Sequence, residues 1–226
     1  MGIYCGVMLG GFAGYAAEAP GFGWRGAFNV TGLAGILYAL PLAFLLRDAP
    51  RPTDGPAAAP KPALAGAARE LLTNGSFLLL VLYFTLPALA GWVVRDWMPA
   101  ILQQSFNLSQ GVAGVSATLY WQAAALVAAL GGGWLADRWM RRTERGRIYV
   151  SAIGMALIIP ALFGVGNSTG LNSFGLAIAS LVLFGLGWGF FDGNNMPILC
   201  QIVRPELRAT GGTCSFTITR RRVARR

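Results

Sequence analysis

Apolar runs free of charge recur along the chain, at residues 1–17, 26–46, 76–94, 112–136 and 148–191, separated by short polar or basic stretches. A helix rising 1.5 Å per residue needs roughly 17–25 apolar residues to cross the hydrocarbon of a bilayer. The first four runs each fit one span. The fifth has room for two, and the polar run 166–173 divides it near Phe174. The pattern therefore predicts six membrane helices, with the first at the short end, and an all-α polytopic bundle. Run 1–17 carries glycine at every fourth place (Gly2, Gly6, Gly10, Gly14). Such a stripe predicts a helix face that lets a neighbour come close. It lacks the basic n-region of a signal peptide and reads as a span.

Between the second and third runs, residues 47–75 hold Pro50, Pro52, Pro56, Pro60 and Pro62. Proline fixes φ and removes a donor, so this reads as an extended linker. Residues 63–72 have enough helix formers for a short amphipathic helix at the membrane surface. The expected organisation is two helices in 1–46, the linker 47–75, four helices within 76–211, and an arginine-rich tail, 212–226.

Composition agrees with the pattern. The 226 residues are 55% hydrophobic and 12% charged, half the charge that covers a soluble domain. Mean hydropathy is +0.55. The net charge of +9 has the sign of a nucleic-acid binder, but five arginines lie in the last seven positions, and the rest leaves a balance of +4 spread over short loops. That distribution writes topology, not a basic face for nucleic acid. Basic residues count four in the linker, none in 99–110, five in 138–147, none in 166–173, and two in Arg204 and Arg208. The positive-inside rule then places the linker and loop 138–147 in the cytoplasm.

There is no histidine, which removes Ser-His-Asp and Cys-His catalysis and HExxH zinc sites. The GxSxG match at 166–170 has no base for Ser168, and reads as a polar turn. Cys5, Cys200 and Cys214 are too far apart for a CxxC site. Nothing in the chain calls for a metal or a cofactor.

Ionisable and hydrogen-bonding residues inside spans mark function, because burying them in hydrocarbon is costly. Asp192 and Asn195 share a helix face with Trp188 four positions earlier, and that face predicts a substrate or proton site. Gln122 lies in mid-span beside Tyr120 and Trp121, suited to a hydroxylated ligand or to a neighbouring helix. Arg95 shares a stripe with Gly91 and Ala88. It suits an anionic substrate, or equally an interfacial pair with Asp96, and adjacent residues diverge by about 100° so only one of the two faces a cavity. Tyr83 is a further candidate, with Asn29 and Thr31 weaker ones.

The stretch Gly133-Trp134-Leu135-Ala136-Asp137-Arg138-Trp139-Met140-Arg141-Arg142 resembles the loop signature G-x-L-a-D-R-x-G-R-R of the major facilitator superfamily, with Met140 in place of the second glycine. Trp24-Arg25-Gly26-Ala27-Phe28, Trp97-Met98-Pro99 with Leu102, and the run from Arg204 through Pro205, Glu206, Leu207, Arg208, Ala209 and Thr210 to Gly211 are similar to other stretches of that family. In this register the spans are helices 5 to 10 of twelve, and the resemblance covers about residues 1–211. It implies a secondary transporter of alternating access in a bacterial inner membrane, taking up a small polar or anionic metabolite such as an organic anion or sugar acid with protons. Gly133, Asp137, Arg138, Arg141, Arg142 and Arg208 would form the cytoplasmic gate. The missing Gly-Pro dipeptide in the first span shifts the expectation from antiport toward symport or uniport. Where the family continues with an apolar helix, the arginine-rich tail reads as a truncated or frame-shifted end, or as a basic anchor for anionic lipid. Two other classes stay open: a six-helix scaffold or half-transporter that works by oligomerising, and an intramembrane enzyme, which the missing histidine disfavours.

Overall fold

The computed structural model describes residues 2–46 and 64–203. These form eight helices in chain order: α1 (Gly2–Gly11), α2 (Ala13–Glu18), α3 (Gly23–Leu45), α4 (Leu64–Thr73), α5 (Gly75–Phe106), α6 (Gln110–Met140), α7 (Gly146–Gly170) and α8 (Phe174–Ile202). Five of them, α3 and α5 to α8, are long and apolar enough to cross a membrane.

The first expected span is divided. Gly10-Gly11 has low helix propensity, and the chain turns through Phe12, whose N–H reaches back only to the Leu9 carbonyl at 3.1 Å. The expected glycine stripe is divided with it. A Cβ on Gly2, Gly6 or Gly10 would meet nothing within 4 Å, whereas one on Gly14 would lie 2.8 Å from the Gln110 carbonyl of α6. The close approach to α6 is made by Gly11 and Gly14 instead.

Polar side chains set the helix starts. The Asn74 carboxamide accepts from Ser76 N at 3.0 Å and Phe77 N at 3.2 Å, Ser109 from Val112 N at 3.3 Å, and Ser173 from Leu176 N at 3.3 Å. These are N-caps, which satisfy amides the helix cannot. The α5–α6 connection is much shorter than the pattern predicts, because α5 carries Pro87 and Pro99 within it and runs on to Phe106. Membrane helices tolerate an internal proline when neighbours re-satisfy the freed carbonyl. Asn107, at φ +52° in the left-handed region, then ends the helix. Likewise 166–170 is not a turn but the end of α7, where the buried Ser168 hydroxyl donates to the Val165 carbonyl at 2.7 Å.

Helices α6, α7 and α8 form the tight centre, with α8 packed against both others. One core joins Met98 and Leu102 of α5, Trp121 of α6, Ile158 of α7 and Leu181 and Phe184 of α8. A second, at the other end, joins Leu71 of α4 to Phe77, Ile198 and Leu199. The helix at 64–73 therefore docks on α5 and α8 through Leu71. Helix α3 buries no residue and packs chiefly on α2 among the described residues. Its apolar surface, with Phe28, Ile36 and Phe44 outward, suits hydrocarbon and not water. The linker, the run 204–211 and the tail lie outside the described residues, and with them Arg208 and Cys214.

Candidate functional site

A cavity of about 390 Å³ opens between α1, α5, α6 and α8. Helical periodicity builds its walls. On α5 the lining residues are Phe84, Ala88, Gly91, Trp92 and Arg95, and on α8 they are Trp188, Phe191, Asp192, Asn195, Met196 and Leu199. Both sets follow the i, i+3, i+4, i+7 rule of a single helix face. Gln122 and Trp121 come from α6, and Ile3, Tyr4 and Val7 from α1.

The structure thus brings Asp192, Asn195, Trp188, Gln122 and Arg95 to one cavity. Tyr83 is not among them. It points one helix step (about 100°) away from Phe84, where its ring packs on Phe191 at 5.3 Å and its hydroxyl is buried without a hydrogen-bond partner among the described residues. Asn29 and Thr31 lie on α3, and the Thr31 hydroxyl donates to its own helix at the Ala27 carbonyl.

Asp192 holds the one hydrogen bond that crosses the cavity from α1 to α8 among the described residues: the Tyr4 hydroxyl donates to its Oδ2 at 2.8 Å. No arginine or lysine pairs with this carboxylate among the described residues. Arg95 is differently placed. It forms an ion pair with Asp96 at 3.6 Å, its guanidinium lies 5.0 Å from the Trp92 ring centroid, and its side chain is half exposed. Both expected settings of Arg95 are therefore combined, cavity wall and pair with Asp96. The rings pack among themselves, Trp121 on Trp188 at 6.2 Å and Trp188 on Phe191 at 5.8 Å. Gly91 makes room for the Trp188 ring, which a Cβ there would strike.

The second polar cluster lies where α6 ends and α7 begins. Arg147 Nη2 donates to Asp137 Oδ1 at 2.5 Å, and Arg147 Nη1 donates to Asn194 Oδ1 on α8 at 3.4 Å. Asn194 is wholly buried, and its own Nδ2 donates to the Phe190 carbonyl at 2.9 Å. Asp137 thus pairs with an arginine of the next helix. Gly133 is not the glycine of close approach: a Cβ there would meet nothing, while one on its neighbour Gly132 would lie 2.7 Å from the Phe190 ring. Arg138 stacks over Trp134 at 5.9 Å. Arg141 and Arg142 are exposed in the turn after α6.

Three of these residues escape sequence reasoning. Tyr4 sits in a glycine-rich run with nothing to single out its face. Arg147 reads as one more topology-setting base. Asn194 was legible in principle, because it lies seven positions after Gly187, on the α8 face that meets α7.

The comparisons with known proteins agree with this architecture. The family model of the Major Facilitator Superfamily matches residues 1–219. The chain belongs to that superfamily, whose members are transporters and not enzymes. An MFS-type efflux pump of Mycolicibacterium smegmatis is 29% identical over 195 residues, which is 85% of this chain and 44% of that protein. A bacterial homologue of the human lysosomal transporter Spinster, solved in an inward-facing and unoccupied conformation, superposes with a TM-score of 0.71 at 21% identity over 97% of this chain and 51% of that one. The chain spans about half the length of both relatives. The bundle is accordingly an incomplete one of this superfamily's fold, with five helices suited to a lipid bilayer.

Proposed function

We propose that this superfamily member works as a secondary transporter by alternating access, with Asp192 alternately holding a proton and taking part in ligand binding. The observation that carries the reading is the Tyr4–Asp192 hydrogen bond across an aromatic-walled cavity. An intramembrane carboxylate is expensive in hydrocarbon, and this one has a phenol as its partner and no basic residue among the described residues. Protonation at Asp192 would remove the charge at no cost in space. In the same reading, the Asp137–Arg147 pair is the gate contact, closed in one state and open in the other, with the 138–147 loop and the linker on the cytoplasmic side of a bacterial inner membrane. A ligand of small size fits the cavity volume. Import of an organic anion or sugar acid would use Arg95 as its partner, whereas the relative named an efflux pump supports export.

The test uses the whole carrier in proteoliposomes under an imposed pH gradient. Asp192→Asn is expected to lower net proton-driven flux of a screened substrate by at least about tenfold, while substrate exchange across the membrane, which moves no net proton, persists. Equal loss of flux and exchange, or loss of neither, overturns the proton role of Asp192. Finding no flux for any small molecule in the unaltered carrier sinks the transport reading itself.

A further inference from the structure

We infer that the cavity selects an organic cation: a protonated amine with N–H donors and an aromatic or apolar body. The inference rests on the transport reading for its purpose, but on different observations for its chemistry.

The first is the sign of the charge. Asp192 is the cavity's acidic residue, and its partner is the neutral Tyr4 hydroxyl. Arg95, the cavity's basic residue, already has a counter-charge in Asp96 at 3.6 Å and a ring beneath it in Trp92. Pairing with Asp96 leaves Arg95 little unbalanced charge for an anion, whereas Asp192 keeps its own.

The second is the walls. Phe84, Trp92, Trp121, Trp188 and Phe191 line the space, and ring faces attract cations, Trp most of all. The protein itself uses one of them in this way, by seating the Arg95 guanidinium 5.0 Å from the Trp92 centroid.

The third is the hydrogen-bond balance. Gln122 is 3% exposed, and its Oε1 has no donor; Asn195 Oδ1 is likewise buried without a partner. Both side chains line the cavity. Terminal amide torsions are soft, so a modest rotation turns these oxygens to a ligand. Buried acceptors are nearly always satisfied in folded proteins, and two amide oxygens with a carboxylate call for a ligand that brings donors. Trp121 Nε1, a donor also without a partner, would be met by one ether or hydroxyl oxygen of the same ligand. A sugar acid fits the amides but not the carboxylate.

The experiment holds the apolar body constant and changes only the charge. Naphthylmethylamine, naphthylmethanol and naphthoate are each dialysed to equilibrium against the purified 226-residue chain in detergent, with protein-free micelles as the reference. The ammonium form is expected to bind at least about tenfold more tightly than the alcohol, and naphthoate least of the three. Asp192→Asn should bring the amine down to the affinity of the alcohol, and Asp192→Glu should restore most of the difference. Gln122→Leu and Asn195→Leu should each weaken the amine several-fold and spare the alcohol. Retained alcohol binding shows that a variant cavity is folded. Naphthoate binding tightest and lost in Arg95→Gln overturns the inference, as do equal affinities or no binding of all three. Amine selectivity in a carrier that moves nothing across the membrane leaves the cation site standing and removes the transport reading. Anion selectivity with Asp192-dependent proton flux does the reverse.

Discussion

Gly187→Leu is expected to separate α7 from α8 and unfold the centre of the bundle at temperatures where the unaltered protein is intact. A Cβ on Gly187 would stand 2.6 Å from the Gly154 carbonyl oxygen and 2.9 Å from Ile158 Cγ1, and a Cβ on Gly154 would stand 2.5 Å from the Gly187 carbonyl oxygen. The two carbonyl oxygens are backbone atoms on facing helices, so neither can give way unless the helices part. The same helix meets α6 through Gly185 and Gly189, where a Cβ would strike the Trp121 and Ala125 carbonyls. In a bilayer, lipid tails are as apolar as leucine. Close van der Waals contact, not the hydrophobic effect, therefore holds membrane helices together. Overpacking a core by a methylene or two costs about 1–3 kcal/mol, and a leucine driven against the backbone of α7 lies at or beyond the top of that range. Thermal unfolding in detergent, followed by tryptophan emission, reads the effect. Gly187→Ala should lower the midpoint measurably and Gly187→Leu should abolish the transition. Gly175→Ala, in open space, should change neither. A wild-type midpoint for Gly187→Leu would show that the α7–α8 approach is not what stabilises the bundle.

Arg147→Met is expected to impair both stability and transport, and Asp137→Asn transport alone. The two partners of Arg147 differ in burial. Asp137 is 64% exposed on its side chain and Arg147 21%, so their ion pair is largely in solvent and contributes about 0–1 kcal/mol. Asn194 is wholly buried, and taking away the guanidinium leaves its Oδ1 without a donor, at a cost of about 1–3 kcal/mol. Folding stability should thus fall in Arg147→Met and hardly in Asp137→Asn. Transport responds to a different quantity. A gate contact present in one state only biases the equilibrium between states, and about 1–2 kcal/mol there changes their ratio about 5- to 30-fold. Flux in proteoliposomes and unfolding in detergent, measured on the same preparations of the whole carrier, separate the two roles. Flux unchanged in both variants would return loop 138–147 to the plain task of setting topology. Arg147→Met at wild-type stability would remove Asn194 from the account.

The Asn194 contact also links the Asp137–Arg147 pair to the helix that lines the cavity. Asn194 and Asp192 are two residues apart on α8, about 3 Å along the helix axis, and face different neighbours: Asn194 faces Arg147 and Asp192 faces Tyr4. A rotation or shift of this end of α8 would change both contacts together.

The candidate site was legible to the extent that it follows one helix's own periodicity. Trp188, Asp192 and Asn195 fall on one face by spacing alone, as do Ala88, Gly91 and Arg95. Tyr83 was misplaced because, in an all-apolar helix, nothing in the sequence says which face is lipid and which is cavity. The expected loop at 99–110 fails for a related reason: proline is read as a breaker, yet Pro99 sits inside α5, where neighbouring helices can satisfy what it frees. The loop signature pointed to the family through Asp137, but the partner of Asp137 is set by how α7 leaves the turn, and that is not written in the signature.

The sequence by itself determined that the chain is an all-α membrane bundle of a transporter superfamily. Hydropathy, span length and a ten-residue signature are one-dimensional properties, and the cost of an unpaired backbone in hydrocarbon admits few other solutions. The tertiary structure alone decided which residues meet. Tyr4 reaches Asp192 across 188 positions of sequence, and Arg147 finds Asn194 across 47. Such pairs depend on the rotation and approach of whole helices, fixed by where a missing Cβ lets backbones touch, and no periodicity within one helix records the phase of another.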